Sequence, residues 1–207
     1  MAFSRQQILD NHAKLLERNA VYKRFGYDVT TSIDFVLSQI GSIRGRVLEI
    51  GTGKGRFTVA LAARADHITT VDIDASEQRY AKLNAAYRKH TGTIRYRQQD
   101  ARALIWKRPT FDVVVSMNTL HHIPEVPRAV QEILRVIRAD GKIILSDFNE
   151  AGFRIMDRIH QSEGRTHDRL SVDWDEIADL FSRAGWRPQC FEGHHQQLLL
   201  AMGPKSG

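Results

Sequence analysis

The sequence predicts an α/β fold in which an open sheet of seven strands, mostly parallel, carries helices on both faces and ends in an antiparallel C-terminal hairpin. Three observations carry this expectation. Short β-branched or apolar runs alternate with segments of helical periodicity, a glycine-rich turn joins the first such run to a helix, and several runs close on an acidic side chain. Ligands of open α/β sheets bind beyond the carboxyl ends of the strands, so those acids are expected to face one crevice.

The elements follow in order. Residues 4–22 read as a helix with Ile8, Leu9, Leu15 and Leu16 on its apolar side, and residues 23–28 as a turn, so residues 1–30 form an N-terminal helical cap. Residues 47–63 hold a buried strand, the glycine turn and a helix. Residues 67–72 form a short β-branched strand ending in Asp72. Asp74 with Glu77 resembles a capping box for a helix carrying Tyr80, Leu83 and Tyr87, which makes Asp74 a cap rather than a ligand. Residues 94–100 alternate apolar and polar and end in Asp100, and residues 111–116 are an unbroken apolar run of the kind a fully buried parallel strand carries.

Pro124 and Pro127 then suit a turn and helix start, and Val126, Val130, Ile133, Leu134 and Ile137 form an apolar stripe that stops at Asp140 and Gly141. Residues 142–147 make a fifth run closed by Asp147. Residues 149–170 are polar and read as a substrate-covering insertion with one helix near residues 153–159. Asp173 and Glu176 offer another cap, Trp174, Ile177, Leu180 and Phe181 a helical face, and Gly185 an end. Residues 186–191 and 195–202 read as the closing hairpin, with His194 and His195 on opposite faces of a strand, and residues 203–207 as a frayed tail.

The glycine turn narrows the ligand. A phosphate-binding loop needs Ser or Thr after Gly-Lys, and here Gly55 follows Lys54. A dinucleotide fingerprint needs its third glycine three places after the second, where Arg56 stands, with Gly55 one place early. Glu49, just before the turn, would repel a pyrophosphate and welcome a cation.

Through residues 49–55, 71–74, 100–101, 111–123 and 133–145, in that order, the chain resembles class I S-adenosylmethionine-dependent methyltransferases of the small-molecule type. The resemblance extends over about residues 30 to 201. It implies a Rossmann-like doubly wound sheet and S-adenosyl-L-methionine as cofactor. The backbone of Gly51, Thr52 and Gly53 is then expected against the methionine part, Asp72 at the ribose hydroxyls, and Asp100 with Ala101 at the adenine edge. Glu49, Ile73 and Asn118 complete the expected cofactor-binding set. The chemistry agrees, because a sulfonium and an ammonium are cations, ribose hydroxyls donate to carboxylates, and an exocyclic amine needs an acceptor.

Composition bounds the rest. At 207 residues, 42% hydrophobic and 26% charged, the chain is long enough for one good core and is expected to form a single domain over residues 1–207. It lacks an apolar stretch long enough for a membrane span and an N-terminal apolar segment of the signal-peptide kind, so the expected location is cytoplasmic. The single Cys190 excludes an internal disulfide and any multi-cysteine metal site. A net charge of +6 raises nucleic acid as a partner, but the thirty Lys and Arg are spread without a run of five or six, which favours a small-molecule acceptor. The oligomeric state stays open.

Methyl transfer is an in-line displacement for which alignment supplies much of the acceleration, and no catalytic residue is strictly required. A hydroxyl or ammonium acceptor needs a base, and His121 and His122 follow the fourth strand where a base reaches the crevice. One of the pair is expected to face inward, with His122 preferred; a purely structural role in hydrogen bonding is the alternative. No spacing of metal ligands is visible, so no metal is expected, and a divalent site using Asp147 with a histidine is the lesser alternative. Tyr22, Phe25 and Tyr27 are candidates to touch ligand or simply to pack at the sheet edge. The leading function is methylation of an O, N or C nucleophile on a small molecule. An RNA or protein methyltransferase and a non-catalytic binding module are the alternatives.

Overall fold

The structure, a computed structural model, describes residues 3–166 and 168–204. In chain order the helices are α1 (Arg5–Arg24), α2 (Val29–Ile40), α3 (Arg56–Ala62), α4 (Ala75–Tyr87), α5 (Val126–Val136), α6 (Glu150–Ser162) and α7 (Trp174–Arg183). The strands are β1 (Arg46–Ile50), β2 (His67–Asp72), β3 (Ile94–Gln98), β4 (Phe111–Met117), β5 (Ile137–Phe148), β6 (Arg187–Gly193) and β7 (Gln196–Met202), and a single 3-10 turn spans Leu120–His122. The seven strands form one sheet in the order β3-β2-β1-β4-β5-β7-β6. The first five are mutually parallel and β7 runs antiparallel to both neighbours. This is the expected doubly wound sheet, with its order reversing between β1 and β4.

Strand alternation divides the core into two layers. Val47, Val113, Val115, Ile144 and Leu198 pack with α2 and α3 through Ile33, Val36, Leu37, Phe57 and Leu61. On the other face Leu48, Ile50, Val114, Ile143 and Leu145 pack with α5 and α7 through Val130, Ile133, Ile177 and Phe181. The caps read from sequence are present: Asp74 accepts from the Ser76 N–H at 2.7 Å and Asp173 from the Glu176 N–H at 2.9 Å. Gly55 adopts φ +77°, and a Cβ there would lie 2.7 Å from that of Ala81, so only glycine lets α3 start this close to α4. No helix among the described residues is long and apolar enough to cross a membrane.

Several local expectations are corrected. Helix α1 has no buried residue, and Leu9 and Leu16 are exposed. Ile8 and Leu15 are half-buried on its inner side, which they share with polar contacts: the Asn11 amide donates to Asn84 at 2.7 Å, and His12 stacks on Tyr87 with ring centroids 3.5 Å apart. Helix α2 lies where the sequence signalled nothing; Asp28 caps it by accepting from the Thr30 and Thr31 N–H groups, and Val29, Ile33, Val36, Leu37 and Ile40 are buried. Helix α6 is longer than expected. His194 and His195 form the two-residue turn of the β6–β7 hairpin, both at positive φ, and so do not alternate along a strand. Residues 205–207 of the expected frayed tail, and His167 of the expected insertion, lie outside the described residues.

One carboxyl interrupts the apolar layer under α3. Glu49 is fully buried; its Oε2 accepts from Thr58 of α3 at 2.7 Å, and its Oε1 meets no partner among the described residues. Burial raises its pKa from 4.5 to about 8, so the group is neutral at pH 7. The folded state therefore retains a proton that the unfolded chain gives up near pH 4.5, and stability falls as pH rises across the window to about 8. Urea denaturation at pH 5 and pH 8.5 is expected to show that fall in the native chain and its loss, on the order of 4 kcal/mol at most, in Glu49→Gln. Parallel pH profiles for the two proteins would contradict the assignment.

Candidate active site

A cavity of about 510 Å³ opens beyond the carboxyl ends of β1, β2 and β4, at the point where the strand order reverses. Its size lies in the range of small-molecule sites. Of the residues expected from sequence, Gly51, Thr52, Gly53, Asp72, Ile73, Asp100, Ala101, Asn118, His121 and His122 all line it. Glu49 does not. Strand alternation turns Glu49 to the same face as Val47, beneath α3, so its carboxyl backs the loop instead of facing ligand, and its neutral form offers a cation no charge.

The glycine loop is pinned from below. The N–H groups of Gly51 and Thr52 donate to the Val71 carbonyl at 2.9 and 3.1 Å. Thr52 and Thr70 share a buried hydroxyl contact of 2.7 Å, Gln78 of α4 donates to Thr52, and Asn84 donates to the Lys54 carbonyl at 2.7 Å. Gly51 takes φ +85°, and a Cβ on it would collide with the Thr119 side chain. At Gly53 a Cβ would meet nothing within 4 Å, leaving the loop open toward the cavity.

Two carboxylates form the rim. Asp72 accepts from the Gly53 N–H at 2.7 Å and the Asp74 N–H at 2.9 Å, which sets its orientation and leaves lone pairs for a further donor. Asp100 accepts from the Arg102 N–H at 2.8 Å and is clamped by the Arg102 guanidinium, whose hydrogen bonds hold it below the usual carboxylate pKa. The two carboxyl groups share one edge of the cavity.

The wall beyond β4 and β5 holds the histidines. His121 is 2% exposed and His122 is exposed, so the inward member of the pair is His121 and not the preferred His122. The reason is Asp147 at the end of β5: its Oδ1 lies 2.7 Å from His121 Nδ1 and its Oδ2 accepts from the His121 N–H at 2.9 Å. A carboxylate at Nδ1 fixes the Nδ1–H tautomer and puts the basic lone pair on Nε2. The Leu170 N–H donates to the His121 carbonyl at 2.9 Å and holds the following loop over the turn.

Aromatic and sulfur side chains complete the enclosure. Tyr27, Phe148 and Met156 are buried cavity-lining groups, and Phe153 meets His121 edge-on at 5.2 Å. The Tyr27 hydroxyl accepts from Asn118 and from Gln196, both at 3.2 Å, and burial raises its pKa. Tyr22 lines the cavity too, whereas Phe25 packs against the core. Arg56, Met156 and His160 were not anticipated as lining residues. The glycine fingerprint displaced at Arg56 was the available signal for the first, and the last two depend on where α6 folds. Among the described residues no group of three or more His, Cys, Asp or Glu side chains is placed to share a metal ion.

Comparison with known proteins agrees with this geometry. A family model described as a methyltransferase domain matches residues 48–145, from β1 through most of β5. The ubiquinone biosynthesis O-methyltransferase of Alkalilimnicola ehrlichii is 29% identical over 119 residues, covering 56% of this chain and 47% of the relative. The 27-O-demethylrifamycin SV methyltransferase of Amycolatopsis mediterranei is 27% identical over 177 residues, covering 74% of this chain and 65% of the relative. The chain thus spans about half the length of many curated relatives it matches. Among solved structures, the DhpI–SAH complex superposes with a TM-score of 0.66 at 21% identity, covering 97% of this chain and 96% of that one. Residues 48–145 thus match a methyltransferase domain, and the strand order, the glycine loop and the solved structures it superposes on give the chain the Rossmann-like fold of class I S-adenosylmethionine-dependent methyltransferases.

Proposed function

We propose that this chain transfers a methyl group from S-adenosyl-L-methionine to a small-molecule acceptor, with His121 as the base when the acceptor carries a proton. The observation that carries this reading is a single cavity that joins the glycine loop and the Asp72 and Asp100 rim to the buried His121–Asp147 pair. The donor set suits the cofactor: open space at Gly53, an oriented carboxylate at Asp72 for ribose hydroxyls, and Asp100 beside Ala101 for an adenine edge. When bound, the cofactor supplies a methyl carbon activated by the adjoining sulfonium.

This chain's own residues then have three tasks. Ile73, 67% exposed and lining the cavity, offers apolar surface to a flat ring. Tyr27, Phe148 and Met156 exclude water and restrict the acceptor's approach, which is where an orientation effect of several kcal/mol originates. His121 takes the proton released by a hydroxyl or ammonium at Nε2, and Asp147, as a positioning residue, stabilises the imidazolium that forms. The enclosed, partly apolar site and the two relatives, a ubiquinone biosynthesis O-methyltransferase and a 27-O-demethylrifamycin SV methyltransferase, favour a small hydroxylated molecule over RNA or protein.

Calorimetry tests the cofactor half. Binding of S-adenosylmethionine in the micromolar range or tighter, about −8 kcal/mol or better, is expected, with a loss of roughly tenfold or more in Asp72→Ala. Unchanged affinity in that variant would remove the ribose assignment. Gly51→Val is a poorer probe, since the new side chain would strike Thr119 even without ligand.

A labelled-methyl screen over metabolites followed by single-turnover kinetics tests the base. His121→Ala is expected to slow transfer to the best hydroxyl acceptor by roughly 100-fold or more and to leave cofactor affinity within about threefold. Full-rate transfer by this variant would assign His121 a structural role only.

A further inference from the structure

The chain carries its net charge in one region. Residues 79–108 hold nine Lys or Arg against the single Asp100, whereas the rest of the chain holds 21 Lys and Arg against 23 Asp and Glu. The whole excess of +6 therefore comes from the latter part of α4, from β3 and from the loop to β4, although no run of five or six cations marks it in the sequence.

The fold gathers part of this charge on one face. Strand β3 closes one end of the sheet, so its outer edge has no strand partner. Its Ile94 and Tyr96 belong to the core layer under α2 and α3, and alternation turns Arg95 and Arg97 to the opposite face, where Val71, the partner of Arg97, packs in the α5 layer. Gln99 follows on the side of the arginines, and its Oε1 accepts from the Ile105 N–H at 3.2 Å, which brings the loop back over that face. The loop is firmly anchored: Leu104 is buried, its N–H donates to Glu132 of α5 at 2.7 Å, and Trp106 meets Phe111 edge-on at 4.8 Å. Held in this way, it leaves Ile105 61% exposed, with Lys107 and Arg108 exposed just beyond.

No acid neutralises these groups. Arg95, Arg97, Lys107 and Arg108 make no ion pair among the described residues, and the acids of the region are committed elsewhere, Asp100 to Arg102 at 2.7 Å and Glu132 to Arg135. Unpaired like charges on one face repel one another and sum to a potential that attracts a polyanion. A nucleic-acid strand would want free aromatic faces on which to stack its bases, but the rings of β3 and the loop are engaged: Trp106 with Phe111, and Tyr96 beneath the Lys82 ammonium at 5.3 Å. An aliphatic side chain standing among cations gains nothing from a phosphate backbone. In a lipid headgroup layer it reaches the acyl boundary while the cations meet phosphates.

We infer that this edge docks the chain on an anionic lipid surface, with Arg95, Arg97, Lys107 and Arg108 at the headgroup phosphates and Ile105 at the acyl boundary. The inference is independent of the cofactor and of the reaction proposed above. Strand β3 leads up to the cavity, since the Gln98 amide donates to the carbonyl of Ile73, a wall residue, at 3.0 Å. The lipid surface then borders the Asp72 rim.

Vesicle flotation of the full chain tests this. At about 0.1 M NaCl, where exposed charges still interact over roughly 10 Å, the chain is expected to float with vesicles of equal phosphatidylcholine and phosphatidylglycerol and not with phosphatidylcholine alone. Replacing the two arginines together, Arg95→Gln with Arg97→Gln, weakens binding by roughly 10- to 30-fold. Removing two exposed cations elsewhere, Arg154→Gln with Arg183→Gln, changes it by less than about twofold. Ile105→Ser weakens it by roughly fivefold without altering its salt dependence, a loss that pure charge adsorption would not show. Unchanged melting curves certify that the variants are folded. Equal flotation with both vesicle types, no flotation with either, equal losses in the two arginine pairs, or an Ile105→Ser variant that binds like the native chain would each overturn the docking surface. Binding to polyuridylate without binding to the anionic vesicles overturns it too, and assigns the edge to nucleic acid.

Discussion

The reversal of strand order between β1 and β4 is the constraint on which the rest of the molecule depends. Crossovers that leave β1 in opposite directions place helices on opposite faces, and no helix can cover the gap between them. The ends of β1, β2 and β4 therefore meet an open crevice, and most residues immediately beyond them reach it: Gly51 to Gly53, Asp72 and Ile73, and Asn118, Thr119, His121 and His122. The loop does not need to be rigid by itself. Buried hydroxyl and amide contacts from Thr70, Gln78 and Asn84 hold it from beneath, so the polar groups that fix the cradle are not the ones that face ligand.

The strands and their acidic ends are legible in the sequence because parallel strands buried on both faces need unbroken apolar runs, and the crevice begins where those runs stop. Ten of the eleven site positions named from sequence line the cavity for this reason. Glu49 fails by a rule that was also available: side chains alternate along a strand, and a residue sharing a face with Val47 lies in the layer under α3. Which histidine faces inward was not legible. His121 and His122 are neighbours on one 3-10 turn, and the choice is made by a carboxylate 26 residues later that satisfies both the backbone N–H and the ring of His121.

The helices divide along similar lines. Those with a cap and a clean stripe, such as α5 and α7, follow the sequence signal. Helix α2 begins Val-Thr-Thr-Ser, residues of modest helix propensity that read as loop or strand, and it exists because five apolar residues on one side bury against the sheet. Helix α1 presents the opposite case. Two of its leucines, Leu9 and Leu16, are exposed, and the side turned inward mixes half-buried Ile8, Leu15, Val21 and Tyr22 with Asn11, His12, Arg18 and Asn19, because it covers the polar ends of α3 and α4 and the mouth of the cavity as well as the margin of the apolar core.

That mixed underside has an energetic consequence. Burying apolar area contributes about 25 cal/mol per Å², and α1 buries no residue fully, so its docking combines the partial burial of Ile8, Leu15, Val21 and Tyr22 with hydrogen bonds and ion pairs whose net contributions are near 1 kcal/mol each in contact with water. The Arg18–Glu163 pair ties α1 to the end of α6, and Asn19 ties it to Arg56; both links join elements that carry cavity-lining side chains. A cover held this way opens at far lower cost than the sheet core does. Its stability is also coupled to whatever fills the cavity, since Tyr22 and Arg56 belong at once to the cover's attachment and to the wall.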